Sequence, residues 1–334
     1  MQSILVVGGA GYIGSHMVLA LKNAGYHVVV LDNLSKGYRT NVSPDSLVVG
    51  DMADTDLLNR LFTQYCFSAV MHFASFIEVA ESVKDPKKYY QNNVINTFNL
   101  FNVMLKHHVK KIIFSSSAAV YGEPHYTPID EAHPLNPINP YGRTKKIVED
   151  MIQDLAQSDG LQYAILRYFN AAGADPDGLL GEQHEPESHL IPLVLQVAEG
   201  RKAALHVYGC DYETKDGTCI RDYVHVVDLC EAHLLALKAL QAGHNSMIYN
   251  LGTGCGYSVQ EVIDTAKKIT GQMITTLNDH RRPGDPAILV ADASKAKKEL
   301  NWNPQYDLSA IVHHAWQFCC RNKEEAHTLK RKRS

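Results

Sequence analysis

Residues 6–14, VVGGAGYIG, decide the fold that this sequence predicts. The apolar run Ile4–Val7 indicates a buried strand that enters a glycine-rich turn and then a helix. Gly8 permits the tight turn, Gly11 lets the backbone approach a phosphate, and Gly14 lets the helix pack closely on the strand. The N–H groups and the positive dipole at the start of that helix favour a pyrophosphate. The stretch therefore predicts the first β-α unit of a dinucleotide-binding domain.

A carboxylate at the end of the second predicted strand indicates which dinucleotide is bound. Asp32 stands 18 residues after Gly14, close to the separation typical of the acidic residue that contacts the adenosine ribose. Such a carboxylate accepts hydrogen bonds from both ribose hydroxyls and repels a 2′-phosphate, so the sequence favours NAD over NADP. Asp51 ends the third predicted strand and is a candidate contact for the adenine amino group, although alone it resembles an ordinary turn residue.

The first half of the chain alternates short apolar runs with longer amphipathic segments. This alternation predicts an α/β fold built on a doubly wound parallel sheet of Rossmann type. The predicted strands are Ile4–Val7, Val28–Leu31, Leu47–Val49, Ala69–Phe73, Ile112–Phe114 and Ala164–Leu166. The predicted helices are Ile13–Ala24, Thr55–Tyr65, Pro86–His107 and Thr144–Ala156.

The second half of the chain is less regular, and the alternation breaks near Gly173. We therefore predict a NAD-binding domain over residues 1–172 and a smaller mixed α/β substrate lobe over residues 173–334. The segment around 222–252 contains an apolar helix and a strand, and we expect it to pack back onto the first domain. The basic tail, residues 322–334, is expected to be disordered.

Composition excludes several classes of protein. The 334 residues are 45% hydrophobic and 20% charged, with a formal net charge of −4, so no basic surface for nucleic acid is indicated. We find no signal peptide and no apolar run long enough to cross a bilayer, and we expect a cytoplasmic protein that contacts no membrane. The seven cysteines include no CxxC pair, so neither a zinc ribbon nor a disulfide framework is predicted.

A tyrosine and a lysine four residues apart indicate the chemistry. Tyr141 and Lys145 would place a phenol and an ammonium on one face of a helix. A free tyrosine has a pKa of about 10, and lowering it to about 7 takes roughly 4 kcal/mol of preferential stabilisation of the phenolate. We expect Lys145 and a bound nicotinium cation to supply that stabilisation. Ser117, which ends a serine-rich strand, is expected to share a hydrogen bond with the same substrate hydroxyl.

Longer motifs along the chain carry a family resemblance. They are VVGGAGYIGSH (6–16), LDNLSKG (31–37), HFAS (72–75), FSSSAAVYGEP (114–124), NPYGRTK (139–145), LRYFNAAGADP (166–176), GTCIRDYVHVVDL (217–229), YNLGTG (249–254) and RRPGDPAILVADASKA (281–296). On these motifs the chain resembles the extended short-chain dehydrogenase/reductase family and, within it, the UDP-galactose 4-epimerases. The resemblance covers the chain from Ile4 to Trp302, and the last four motifs are more specific than the glycine turn.

The resemblance implies a set of residues that line the NAD site. They are Gly8, Gly11, Tyr12, Ile13, Gly14, Asp32, Asn33, Asp51, Met52, Phe73, Ala74, Asn92, Ser117, Tyr141, Lys145 and Phe169. It also implies three catalytic roles: Tyr141 is the base, Lys145 lowers its pKa and anchors a ribose, and Ser117 relays the hydrogen bond.

The resemblance further implies a nucleotide-sugar site. Its members are Asn170, His189, Leu190, Tyr208, Arg221, Arg282, Asp285 and Leu289, together with Ser117 and Tyr141. Arg221 and Arg282 carry forked donors that suit a diphosphate. Tyr208 is expected to cover the uracil, and Asp285 to accept from the ribose hydroxyls.

Three positions depart from the family pattern or bear on the substrate. Ile77 stands where many members have a lysine near the pyrophosphate, so one charge contact to NAD is missing or supplied elsewhere. His189 stands where an asparagine is often found. Leu289 falls where the side chain controls access to the substituent at sugar C2, and its bulk disfavours an N-acetyl group.

The implied activity is interconversion of UDP-glucose and UDP-galactose through a 4-keto sugar, with NAD held throughout. The 4-epimerases of UDP-arabinose, UDP-glucuronate and UDP-N-acetylhexosamines remain alternatives. A 4,6-dehydratase is disfavoured, because relatives with that activity have Thr-Asp-Glu where this chain has Ser117, Ala118 and Ala119. A non-catalytic NAD sensor is a further alternative, since fold alone never fixes function.

Two other features of the sequence concern a metal and a partner. His184 and His189 lie among glutamates, but they have neither the i, i+4 spacing of a helix nor cysteine partners, so no metal site is predicted. By the family resemblance, the predicted helix Pro86–His107 and the helix that carries Tyr141 form the seam of a homodimer.

Overall fold

The computed structural model describes residues 2–282 and 284–331. The strands are β1 (Ser3–Val7), β2 (His27–Asp32), β3 (Leu47–Val49), β4 (Phe67–His72), β5 (Lys111–Ser117), β6 (Gln162–Tyr168), β7 (Asn170–Ala172), β8 (Leu205–Tyr208), β9 (Ile220–His225), β10 (Met247–Leu251), β11 (Gly256–Ser258), β12 (Thr276–Asp279) and β13 (Ile288–Leu289). The helices are α1 (Tyr12–Asn23), α2 (Thr55–Gln64), α3 (Val79–Lys84), α4 (Pro86–Tyr89), α5 (Thr97–Lys106), α6 (Pro140–Asp159), α7 (Leu190–Ala198), α8 (Val226–Gln241), α9 (Val259–Thr270), α10 (Ser294–Leu300) and α11 (Leu308–Arg331).

Seven strands form one sheet in the order β3-β2-β1-β4-β5-β6-β10, and all their pairings are parallel. The order reverses at β1, as a doubly wound fold requires. Ile4, Leu5 and Val6 of β1 are fully buried, because the strand is covered on both faces. The predicted fold class is confirmed.

The chain divides into two compact units. The first contains Met1–Tyr168, Cys230–Leu251 and Asp292–Trp302, and the second contains the remaining segments. The structure therefore differs from the boundary predicted after residue 172, but Cys230–Leu251 lies within the segment around 222–252 that we expected to pack back onto the first domain. The reason is a strand pairing: β10 joins the free edge of β6, with Met247 opposite Ala164, and thereby completes the backbone hydrogen bonds of that edge.

The predicted helix Pro86–His107 is interrupted. Between α4 and α5, residues Tyr90–Asn96 form a π-helix, a rare geometry that is frequent at functional sites. Within it, the amide of Asn93 accepts from the backbone N–H of Phe76 at 2.9 Å and donates to its carbonyl at 3.0 Å. The same amide donates to the Thr144 hydroxyl at 3.2 Å. The π-helical segment thus fixes the position of the loop after β4. Apolar periodicity alone did not reveal this interruption of the helix.

The helix that carries the tyrosine and the lysine is longer than the predicted span Thr144–Ala156. It begins at Pro140, because Asn139 caps it by accepting from the backbone N–H of Gly142 at 2.9 Å. It ends at Asp159 and is capped by Gly160, whose φ of +71° is the left-handed conformation typical of a glycine cap.

The second unit is built on β9. This strand pairs with β7 and β13 in parallel and with β11 in antiparallel, while β8 and β12 form a separate parallel pair. α7, α9 and α11 contribute apolar side chains to its core. α11 continues to Arg331, so most of the tail predicted to be disordered (322–334) is helical, consistent with the many good helix formers there. Residues 332–334 lie outside the described residues.

Candidate active site

The three glycines of the first turn have distinct environments. Gly8 has a φ of +80°, and a Cβ there would lie 2.6 Å from the backbone nitrogen of Ala74. A Cβ at Gly14 would lie 2.2 Å from the Gly8 carbonyl oxygen. At Gly11, by contrast, the nearest atom would be 3.5 Å away, so this side of the turn is open to a close ligand. Gly11 is also the N-cap of α1 and provides no side-chain cap. The turn fits a pyrophosphate.

Asp32 ends β2 beside this turn. Its carboxylate accepts from the backbone N–H of Ala10 at 2.9 Å and from that of Leu34 at 2.8 Å, which fixes its orientation. Burial raises the pKa of Asp32, and these two hydrogen bonds act in the opposite direction. Next to it, the Asn33 amide donates to Asp51 at 2.7 Å. A carboxylate fixed in this way would suit the adenosine ribose contact that we expect of Asp32.

Most of the remaining cofactor positions lie at the carboxyl ends of the parallel strands, which is where doubly wound sheets bind ligands. Met52 follows β3, while Phe73 and Ala74 follow β4. Asn92 lies in the π-helical segment and donates to Asn93 at 2.9 Å. Tyr12 and Ile13 begin α1, and Phe169 is the first residue of the second unit.

The predicted catalytic residues lie together. Ser117 ends β5, and Tyr141 lies in the first turn of α6. Burial raises the pKa of Tyr141, and the neighbouring Ser117 hydroxyl has a smaller effect in the opposite direction. The predicted lowering of that pKa is thus not a property of the side chains alone, and it stays a prediction for the NAD-bound protein.

Lys145 is buried and close to the tyrosine. Its Nζ lies 5.9 Å from the centre of the Tyr141 ring. It donates to the Ser75 hydroxyl at 2.9 Å and to the Ser115 carbonyl at 2.7 Å. Burial lowers the pKa of Lys145 to about 7, while the nearby charge of Glu149 opposes that shift. The ammonium is therefore held in place by neutral oxygens.

Apart from Ser117 and Tyr141, which belong to the first unit, the residues predicted for the nucleotide sugar belong to the second unit. The Arg221 guanidinium donates to the Asp285 carboxylate, so two groups expected to contact different parts of the ligand are paired with each other. Leu289 lies beside Arg221 in the register of β13 with β9. The Arg282 guanidinium lies 4.1 Å from the centre of the Tyr208 ring, the face expected to cover a uracil.

Three other members of this set flank the start of α7 or lie in β7. Asn170 is the first residue of β7. His189 is the N-cap of α7, and Leu190 is its first residue. Ile77, where the resemblance implied a lysine, is exposed and is followed by Glu78, which pairs with Lys36 at 3.1 Å.

Comparison with known proteins places the chain in a family. Residues 4–252 match the NAD dependent epimerase/dehydratase family. The chain belongs to this family. The UDP-glucose 4-epimerase of Halalkalibacterium halodurans is 51% identical to it over 327 residues, which cover 98% of this chain and 97% of the relative. The resemblance seen in the motifs is confirmed.

Solved structures of similar proteins agree with this membership. The crystal structure of UDP-glucose 4-epimerase from Brucella ovis in complex with NAD has a TM-score of 0.93 and 48% identity, covering 95% of this chain and 98% of that one. A second is UDP-glucose-4-epimerase from Stenotrophomonas maltophila with bound NAD and formylated UDP-arabinopyranose. Its TM-score is 0.94 at 38% identity, covering 97% of this chain and 100% of that one.

Sequence reasoning missed a polar network next to α6, the helix that carries Tyr141 and Lys145. Glu149 and Arg167 form a fully buried ion pair, with Nη2 of the arginine 2.6 Å from Oε2 of the glutamate. The Ser116 hydroxyl also donates to Glu149, and Arg167 donates to the Tyr121 hydroxyl at 3.0 Å. The available signal was spacing: Glu149 lies four residues after Lys145, and therefore on the same face of α6.

Among residues 2–282 and 284–331, no helix is both long and apolar enough to span a lipid bilayer.

Proposed function

We propose that this chain is a UDP-glucose 4-epimerase that interconverts UDP-glucose and UDP-galactose with tightly bound NAD. The observation that carries the proposal is the arrangement of Tyr141, Ser117 and Lys145 at the carboxyl edge of a doubly wound sheet, near a glycine turn that fits a pyrophosphate. The identity of 51% to a UDP-glucose 4-epimerase over nearly the full length of both chains supports the choice of substrate.

NAD, when bound, supplies a reversible hydride acceptor next to the sugar. The open side of Gly11 and the first turn of α1 would hold its pyrophosphate, and Asp32 its adenosine ribose. Asp32 would also repel a 2′-phosphate, which favours NAD over NADP. Because epimerisation returns the hydrogen that it removes, the dinucleotide acts as a catalyst that need not leave.

Tyr141 is the proposed base. It would take the proton of the sugar 4-hydroxyl as C4 is oxidised. After the 4-keto sugar has rotated to present its opposite face, Tyr141 would return a proton. Ser117, whose hydroxyl acts to lower the pKa of Tyr141, would relay the contact to the same hydroxyl. Lys145 would stabilise the phenolate from below the ring and anchor a ribose. The result is inversion at C4.

Residues of the second unit would bind UDP. Arg221 and Arg282 would bind the diphosphate, and Tyr208 and Asp285 the uridine. Because Arg221 donates to Asp285, and Arg282 lies over Tyr208, these contacts must open or extend when the nucleotide binds. Asn170, His189 and Leu190 would complete the site, and Leu289 would disfavour an N-acetyl group at C2.

An alternative substrate has one observation in its favour. A relative of 38% identity was crystallised with formylated UDP-arabinopyranose, so UDP-pentoses are the second candidate class. A 4,6-dehydratase is less favoured, because the residues after Ser117 are Ala118 and Ala119, which transfer no proton.

The homodimer is part of this proposal. α5 and the π-helical segment before it carry exposed apolar side chains, including Ile95 at 49% and Phe98 at 42% exposure. A second copy of the chain would bury them. Light scattering on the purified protein should give twice the chain mass, and Phe98→Lys should reduce it towards the mass of one chain.

The test of function is conversion of UDP-galactose to UDP-glucose by purified protein without added NAD. We expect turnover, and we expect Tyr141→Phe to retain no more than a few per cent of it. UDP-arabinose, UDP-glucuronate and UDP-N-acetylgalactosamine in parallel reactions would rank the alternatives. A protein that holds NAD but converts none of these sugars would instead be a sensor.

A further inference from the structure

The loop before α7 brings four ionisable side chains together within the second unit. Glu182, His184, Glu187 and His189 each present one ligand atom, and the four atoms lie within 4.8 Å of one another. The spacing along the chain is not that of a helix, which is why the sequence predicted no metal here. The conformation of the loop brings the four side chains together, although their spacing in the sequence did not indicate it.

The separations match those around a small cation. The Nδ1 atom of His184 lies 3.3 Å from Glu182 and 3.7 Å from Glu187, and that of His189 lies 2.7 Å and 3.4 Å from the same two carboxylates. Tetrahedral ligands with bonds of about 2.0–2.2 Å to zinc lie about 3.3–3.6 Å apart. Three of the four distances fall in or near this range, and the fourth, between His189 and Glu182, would have to lengthen by roughly 0.6 Å to make room for the ion.

The environment needs positive charge. The side chains of Glu182 and Glu187 are only 6% and 4% exposed, and two neighbouring carboxylates withdrawn from water require compensation. The Nδ1 atoms of His184 and His189 are shielded from solvent and make no hydrogen bond of acceptable geometry with any described residue. Imidazole lone pairs would face the same centre as the two carboxylates, and a cation bound there would replace the protons that these imidazoles otherwise carry.

One ligand is already oriented by the backbone. Oε1 of Glu187 accepts from the N–H groups of Ser188 and His189, both at 2.8 Å. Such outer contacts hold the carboxylate in a single orientation, as metal sites require. With two imidazoles and two carboxylates, the set suits zinc and related transition metals better than calcium or magnesium, which prefer oxygen ligands alone.

We propose that Glu182, His184, Glu187 and His189 form a structural binding site for one divalent transition-metal ion, with Zn²⁺ the expected occupant. Four protein ligands close the coordination sphere, so the ion would stabilise the loop and take no part in the reaction. His189 would bind through Nδ1, which leaves its Nε2 for a nucleotide contact.

The test is titration of the full-length chain, purified without a histidine tag and stripped with EDTA, with ZnCl₂ in a calorimeter. We expect one Zn²⁺ per chain, with binding at least tenfold weaker in His184→Gln and in His189→Gln. The matched control is His206→Gln, which removes an exposed imidazole paired with one carboxylate, Asp279, at 2.6 Å. This control should bind Zn²⁺ like the parent.

Thermal unfolding provides a second readout that does not depend on catalysis. Saturating Zn²⁺ should raise the Tm of the parent and of His206→Gln by a few degrees, and that of His184→Gln by less. Absence of saturable binding to the parent would overturn the proposal and leave two protonated imidazoles as the compensating charges. Equal binding by the parent and both cluster variants would overturn it as well. Neither result would bear on the proposed epimerase activity.

Discussion

The ammonium of Lys145 donates to the hydroxyl of Ser75 at 2.9 Å and so connects α6 to the loop after β4. The Ser75 hydroxyl is one of two neutral acceptors for the buried charge of Lys145, and the Ser115 carbonyl is the other. A lysine in such surroundings is held in a fixed position but is poorly solvated, which is why burial lowers its pKa to about 7. Its protonation is therefore sensitive to each acceptor.

Ser75→Ala should shift the pH profile of epimerisation. Loss of the hydroxyl removes an acceptor that favours the charged lysine, so the pKa of Lys145 should fall further. The alkaline limb of kcat should then move to lower pH, and kcat at pH 8 should drop about tenfold, given the 1.5–3 kcal/mol typical of a hydrogen bond to a charged group. Ser68→Ala, whose hydroxyl donates to the Ser3 carbonyl, is the control and should leave the profile unchanged. Equal profiles for all three proteins would contradict the prediction.

Lys145→Met should remove activity and alter how stability depends on pH. The lowered pKa of Lys145 means that the folded state binds fewer protons than the unfolded state between about pH 7 and 10. Stability of the parent protein therefore rises with pH in that window, whereas the cost of the buried charge is fully present below it. The variant has no such group to titrate. Its free energy of unfolding relative to that of the parent should therefore fall by about 2 kcal/mol between pH 7 and pH 9.

Urea unfolding at the two pH values measures this difference. Lys146→Met is a matched control one residue further along α6, because Lys146 is partly exposed and pairs with Asp150 on the helix surface. It should show no comparable change with pH. The same stability difference at both pH values for Lys145→Met would show that the lysine does not lose its proton more readily in the folded state.

The sequence predicted the fold, and the placement of Tyr141 and Lys145 on one helix, because these rest on local rules. The glycine turn, the strand alternation and the spacing of Tyr141 and Lys145 are properties of short segments. Ser75 and Glu149 were not predicted, since their contacts join segments far apart in the chain, and no local pattern requires them.

Charge pairing within the second unit was also beyond local rules. Arg221 and Asp285 are 64 residues apart, and their mutual contact follows only from the pairing of β9 with β13. The Glu182 to His189 cluster depends on how a loop folds back on itself, so spacing suggested no metal. The interruption of the helix by Tyr90–Asn96 depends on Asn93 reaching Phe76. Contacts between separate segments decide the first and the third of these features, and the conformation of one loop decides the second.

Glu149→Gln should strongly destabilise the protein. The change leaves the buried Arg167 without its ion-pair partner, and breaking a buried pair from one side costs about 3–5 kcal/mol. Asp150→Asn, on the exposed side of the same helix, should cost no more than about 1 kcal/mol. Chemical unfolding compares the two. The double variant Glu149→Gln/Arg167→Met should recover part of the loss, because it also removes the unpaired charge; a double variant less stable than Glu149→Gln would argue against this reason.

Asp32→Asn should weaken retention of NAD and relax selection against NADP. The amide keeps the shape of the carboxylate and one acceptor oxygen, but it removes the negative charge that opposes a 2′-phosphate. The backbone N–H groups of Ala10 and Leu34 donate to different oxygens of Asp32, so the substitution also removes one of these two hydrogen bonds. We expect the ratio of NAD to NADP affinity to fall at least tenfold, measured by calorimetry on protein freed of nucleotide. Asp56→Asn, in the first turn of α2, is the control. An unchanged ratio in Asp32→Asn would mean that another group selects the cofactor.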